Sequence, residues 1–461
     1  MKTLSLALRN LLRNRRRSLT TLLAMVVGAV SILLFGGYVM TVKYGLQTDY
    51  VEQSGHLQIQ HRDYFLYGSG NPAAYGIADY QRVIDTLRRD PVLAPMLTVV
   101  TPTLSLDGIA GNFAAGVSRT FVGSGVVVVD QLRMRQWNDY GFTMSPRRLA
   151  LEGTPVDSAV IGTGVARVLQ LCEPLKVANC ATPRAQSQAG AAAPADVVAL
   201  SSLEAPARTA ATGAHIELLA ANVHGAPNVA ELHVVKAESQ GIKEYDDLYV
   251  GMHLAQAQRL IYGTERPQVT AVVLQLRHTR QIPAATARIG QLLQTALRDL
   301  PLEVHDYATL NPSYGQIIGM FSAIFGFISV LIGTIVLFTV SNTMTMAVVE
   351  RTVEIGTLRA MGMRRSGIRR LFICEGLLLG VLGALVGVCV ALALAWCVNH
   401  SGLSWLPPGN TNRVPLAVRV WGETSMIVTT SVLLVLVSVL SAWFPARRAA
   451  RLNIVDALRH V

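Results

Sequence analysis

The chain is 461 residues long, with 51% hydrophobic side chains and only 15% charged ones, well below the ~25% charged fraction of an average soluble protein. Disordered and fibrous classes are excluded, and the apolar excess is concentrated in a few long runs, which marks an integral membrane protein. The net charge of +11 is equally uneven: residues 1–18, 347–370 and 444–461 carry sixteen basic residues against three acidic ones, and the rest of the chain is close to neutral. Basic clusters that abut apolar runs are a topology signal, so the high charge is not read as nucleic-acid binding.

In chain order, Ser18 to Val42 contains no charged residue, and Leu19 to Met40 as a helix covers about 33 Å, enough for a hydrocarbon core of ~30 Å. A cleaved signal peptide is the rival, but the run exceeds the usual ~7–15 apolar residues and no small-residue cleavage site follows it. An uncleaved anchor is expected. Tyr307 to Val349 is a second uncharged run, in which Pro312 can open a helix that outlasts one crossing. Third and fourth spans are expected from about Leu371 to Val398 and from Thr424 to about Trp443. The positive-inside rule then puts the N-terminus, the 347–370 loop and the C-terminus in the cytoplasm.

That topology divides the chain into 1–43, an extracytoplasmic domain over 44–306, and 307–461. In the middle part, His56–Gln60 alternates as a strand does, and Asp79–Arg89 sets Val83, Ile84 and Leu87 on one helical face. Val269–Arg277 reads as a strand, Pro283–Leu300 as an amphipathic helix and Leu302–Tyr307 as a strand, so two β-α-β units flank the middle of the domain. The interior, about 116–250, has strand-like runs at Val126–Val129 and Val197–Leu200 and is expected to be an inserted β-rich lobe. The fold class is therefore four transmembrane helices plus a large α/β domain of two lobes. An Ala/Pro/Gln-rich stretch between Glu173 and Ala195 reads as a surface loop.

Cys172 and Cys180 fall in the outer domain, where a disulfide is plausible; Cys374, Cys389 and Cys397 read as packing residues of the third span. His56, His61, His215, His224 and His233 show no metal-site spacing, so no metal is expected. Gly123–Gly125 and Gly162–Gly164 lack the Lys and Ser/Thr of a phosphate loop, and no hydrolase or metalloprotease motif is present. Nothing suggests a catalytic residue, and no cofactor is expected in this chain. In the third span Gly376, Gly380, Gly383 and Gly387 recur at intervals of four, three and four, a stripe that lets another helix approach closely.

The segment Glu350–Ser366 carries the strongest local signal. As a helix it sets Ile355, Leu358 and Met361 on a narrow apolar stripe beside Glu354 and Arg359, with Gly362 as a stop before a second helix near Ser366. Such a helix can lie among lipid headgroups or dock a soluble protein through its apolar anchors. Glu375, the sole carboxylate inside a predicted span, is expected to pair with a nearby Arg.

Together with Ala7–Asn14 before the first span and Pro445–Arg459 after the last, this loop resembles the FtsX-like permeases of ABC transporters. The order of one span, a large outer domain and three spans is similar to their MacB and LolC/LolE branch, as are Ile161–Ala166 and Ser54–Ile59. The resemblance implies a bacterial inner-membrane subunit working as a homodimer or heterodimer with a separate ATPase, which would hold ATP and Mg. It further implies that Glu350, Arg351, Glu354, Ile355, Leu358, Arg359 and Met361 meet that ATPase as a coupling helix, and that motion rather than a channel reaches the outer domain. An amphiphilic substrate such as a lipoprotein or lipid is expected. The alternatives are MacB-like efflux of drugs, peptides or toxins with a periplasmic adaptor, and FtsX-like control of a cell-wall enzyme.

Overall fold

The computed structural model describes residues 6, 7, 9, 10, 13, 15–142, 149–178, 180, 213–407, 410 and 413–452. The chain divides into two compact units, one drawn from 1–44, 313–405 and 415–461, the other from 45–312 and 406–414. The sequence-based boundaries were at 43/44 and 306/307.

The first unit is helical. Its elements are α1 (Arg15–Ser54, whose last ten residues belong to the other unit), and, later in the chain, a group of four helices. Among the described residues, four helices are long and apolar enough to cross a membrane. The longest after α1 is the 39-residue helix Pro312–Glu350, about 58 Å at 1.5 Å per residue. It starts at Pro312 because a proline has no N–H to lose at the first helical position.

The second unit is α/β. In chain order it contains β1 (Leu57–His61), α2 (Tyr80–Arg89), β2 (Leu97–Asn112), β3 (Val117–Val126), α3 (Val128–Met134), β4 (Ser158–Gly162), α4 (Thr163–Val168), β5 (His215–Ala221), β6 (Pro227–Glu238), β7 (Tyr249–His253), α5 (Leu254–Tyr262), β8 (Ala271–Leu276), α6 (Ile282–Gln294) and β9 (Leu302–Asp306). The 16-residue strand β2 organises them. Its first part, Leu97–Thr103, pairs antiparallel with β8, and β8, β1 and β9 follow in an open sheet. From Thr103 to Asn112 it pairs with β3, and Ile109–Gly111 also pairs with β5. Because β3 pairs with β7, β7 with β4, β4 with β6 and β6 with β5, six strands close a ring. Closure removes the exposed edges that an open sheet of that size would present.

The expected inserted lobe is thus a ring of β3–β7 completed by half of β2. Its main apolar cluster is shared with the open sheet: Leu57, Ile59 and Leu274 of that sheet belong to the same cluster as Phe121, Ile161, Leu218 and Val250 of the ring. The helix expected from helical spacing at Asp79–Arg89 is α2, and Val83, Ile84 and Leu87 are its buried residues. Two expectations need correction. Val126–Val129 is not a strand, because β3 ends at Val126 and α3 begins at Val128. The helix begun near Pro283 stops at Gln294 rather than Leu300, although Leu297 still closes the core beneath it. Val197–Leu200 and the part of the Ala/Pro/Gln-rich stretch beyond Cys180 lie outside the described residues.

The glycines of Ile161–Gly164 have a structural task. Asp246 accepts the N–H of Thr163 at 3.0 Å, the N–H of Gly164 at 3.0 Å and the N–H of Gln240 at 3.0 Å, and also bonds the Thr163 hydroxyl. A side chain at Gly162 would strike the Asp246 backbone. Cys172 and Cys180 are joined as a disulfide with Cα atoms 6.3 Å apart.

Candidate docking site

Besides α1 and α7 (Pro312–Glu350), the helical unit contains α8 (Thr352–Ala360), α9 (Arg365–His400) and α10 (Thr424–Arg451). The glycine stripe lies on α9 and serves two neighbours rather than one. Gly376 and Gly380 face α10: a Cβ on Gly376 would lie 2.7 Å from Ala442 Cβ, and one on Gly380 would lie 3.1 Å from Val435 Cα. Gly383 faces Met25 of α1, at 2.7 Å from its Cβ, and Gly387 faces Ala29. Ser438 Oγ donates to the Gly376 carbonyl at 2.7 Å, a bond available only because the backbones approach so closely. The intervals of four, three and four keep all four glycines on one stripe, and α10 and α1 meet that stripe at different heights.

The loop between α7 and α9 is built around α8. Arg351, at φ −104° and ψ 19°, breaks the helix between α7 and α8. Gly362, at φ +93°, ends α8 in the left-handed region that glycine enters without a Cβ clash. Thr352, Ile355 and Gly356 are buried, and Ile355 shares an apolar cluster with Ile368 and Phe372 of α9 and Ala446 and Ala449 of α10, with Leu358 partly covered beside it. The opposite face is open: Val353 and Met361 are 46% and 71% exposed, and Glu354, Thr357 and Ala360 are exposed with them.

Polar contacts fasten the ends of α8. Arg351 is buried; its Nη1 lies 3.1 Å from Glu375 Oε1 on α9, and its Nη2 donates to the Asn10 carbonyl at 3.2 Å. Asn10 Nδ2 donates to the same Glu375 oxygen at 2.7 Å. Arg13 pairs with Glu354 at 2.6 Å on the surface, and Arg359 donates to the Leu452 carbonyl. The pairing expected for Glu375 is therefore with Arg351.

Of the seven residues assigned to docking, Glu350, Glu354 and Met361 are exposed, Leu358 and Arg359 are half-buried, and Arg351 and Ile355 are buried. The stripe Ile355–Leu358–Met361 does not act as one surface. Its first member seats α8 on the chain's own bundle, and its last points away from it. Sequence reasoning passed over Val353 and Thr357, which share the open face with Met361 at intervals of four. Among the described residues no group of three or more His, Cys, Asp or Glu side chains is placed to hold a metal.

Residues 318–454 match the FtsX-like permease C-terminal family, a stretch that holds most of α7 and all of α8, α9 and α10. The chain carries an FtsX-like permease domain, and its curated relatives are ABC transporter permeases. It is 35% identical over 137 residues to the ABC transporter permease YtrF of Bacillus subtilis, covering 29% of this chain and 30% of that protein. It is 27% identical over 244 residues to the lipoprotein-releasing system transmembrane protein LolC of Neisseria meningitidis, covering 51% of this chain and 56% of LolC. It is 28% identical over 216 residues to the macrolide export ATP-binding/permease protein MacB of Rhodopirellula baltica, covering 45% and 28%. The chain thus spans from under a third to just over half of these relatives' lengths.

Proposed function

We propose that this chain is the permease subunit of an ABC transporter in a bacterial inner membrane, and that a separate ATPase docks on the open face of α8. The observation that carries the reading is the division of α8 into a buried side, Thr352, Ile355 and Gly356, and an exposed side, Val353, Glu354, Thr357 and Met361. A helix held to its own bundle along one side can receive a push on the other and pass it on as rigid-body motion. ATP and Mg belong to the partner, and this chain is a non-catalytic subunit that functions as a homodimer or heterodimer. The α/β unit lies on the periplasmic side as two lobes, and the substrate is an amphiphile such as a lipoprotein or lipid. The likeness to LolC over 51% of the chain supports that substrate class. The likeness to MacB supports a second reading, export of a small molecule through a periplasmic adaptor.

The docking reading is tested by purifying the tagged full chain from its own membranes. Met361→Asp and Thr357→Arg place charge on the open face without touching the bundle, and each is expected to reduce the co-purified ATPase at least about tenfold, the result of losing ~1.4 kcal/mol or more at an interface anchor. Leu358→Asp is a poorer probe because it also disturbs the bundle. Undiminished ATPase with both open-face variants, or a wild-type chain that brings down no nucleotide hydrolase, overturns the reading.

A further inference from the structure

Glu375 is a carboxylate inside a helix of membrane-spanning length, and its side chain is 3% exposed; that of its partner Arg351 is 9% exposed. Charges at such positions are costly and are kept for a reason. Stability is a weak reason, since a buried ion pair seldom outperforms apolar side chains of similar size. This pair is not optimised for stability either, because the buried Arg351 Nε has no hydrogen-bond partner among the described residues.

Its location supplies a better reason. Arg351 is the sole residue between α7 and α8 and the point at which the helical backbone is broken. A break of that kind lets two helices swing independently unless something holds it. The side chain at the break is held by Glu375 of α9, and the same carboxylate oxygen accepts the Asn10 amide. Arg351 in turn holds the Asn10 carbonyl. Two segments, the N-terminal one and the α7–α8 break, converge on one carboxylate of α9, and Arg13–Glu354 at 2.6 Å ties the same N-terminal segment to α8 itself.

We propose that Glu375 is a positioning residue: it pins the α7–α8 break and the N-terminal segment to α9, so that a force applied to α8 moves these parts as one body. The consequence for transport rests on the docking reading above; the pinning itself does not.

The test uses the full-length chain in lipid nanodiscs, with and without its ATPase, and compares Glu375→Gln with the double variant Arg351→Met and Glu375→Met. The single variant leaves the buried guanidinium without a counter-charge and is expected to lower the stability of the bundle. The double variant removes both charges and is expected to be about as stable as wild type. In both, amide hydrogen exchange in 352–363 is expected to accelerate about tenfold or more, while exchange in the centre of α10 stays at the wild-type rate in the double variant. With the ATPase present, Glu375→Gln should still assemble and hydrolyse ATP, and the ATP-dependent change in exchange of the α/β unit should be lost. A double variant that keeps wild-type protection in α8 overturns the pin. Failure of the wild-type chain to bind any ATPase overturns the docking reading instead, and the exchange comparison without ATPase still decides the pin.

Discussion

Gly376→Ala puts the close approach of α9 and α10 to a direct test. The added Cβ would stand 2.7 Å from Ala442 Cβ and 3.2 Å from the Ser438 carbonyl oxygen, whereas carbon atoms in contact prefer about 3.5–4.0 Å. Neither neighbour is the end of a flexible chain, so the helices must separate locally by about 1 Å. That displacement also strains the 2.7 Å bond from Ser438 Oγ to the Gly376 carbonyl. Overpacking of this size costs about 1–3 kcal/mol, and the weakened interhelical bond adds roughly 0.6 kcal/mol. The control is Gly333→Ala on α7, where a Cβ meets nothing within 4 Å and alanine gains about 0.5–1 kcal/mol of helix propensity. Both substitutions gain that propensity, so unfolding of the two variants in mixed micelles by titration with denaturing detergent should separate them by the overpacking and the weakened bond alone, about 1.5–3.5 kcal/mol. Equal stability would refute the assignment of Gly376 to a packed interface.

Two further predictions concern the α/β unit. His56 is fully buried, edge-on to Trp137 at 4.8 Å, with Nδ1 accepting the Leu276 N–H at 3.0 Å; burial outweighs the pull of Asp139 and brings its pKa down to about 3. Between that value and the unfolded ~6.5 the unfolded chain binds the extra proton, so this histidine makes stability rise with pH, by up to about 1.4 kcal/mol per pH unit. His56→Gln should flatten that slope in urea unfolding curves taken between pH 4 and 7, and parallel curves for the two proteins would count against the buried neutral imidazole. Asp246→Ala strips three backbone N–H groups and one hydroxyl of their acceptor and should destabilise the unit by about 3 kcal/mol or more. Asp246→Asn, keeping one acceptor oxygen, should recover part of that loss in the same urea titration, and a wild-type midpoint for Asp246→Ala would contradict the shared-acceptor geometry.

Local pattern was legible in the sequence where one face decides burial. The spacing of Val83, Ile84 and Leu87 marks α2, Pro312 marks the start of α7, and the alternation after His56 marks β1. The ring was not legible, because its closure depends on Ile109 meeting Leu219, a pairing between segments with no local trace of each other. Nor could the apolar stripe on α8 reveal its partner. A hydrophobic face records that something covers it, and Ile355 is covered by residues of α9 and α10 that follow it in the chain. The run Val126–Val129 failed for a different reason: β-branched residues favour a strand, but the chain turns at Val127 and tertiary packing overrides that preference.

The 16-residue strand β2 limits how this protein can be taken apart. A fragment cut to hold the ring, from about residue 97 to 262, would keep every stave but leave Leu97–Thr103 without the β8 backbone that it normally bonds. An unsatisfied strand carrying Val99 and Val100 invites association with other molecules. Crystallisation or binding work on the α/β unit is therefore best served by retaining β1, β8 and β9, because the two halves have a beam in common and neither is weatherproof alone.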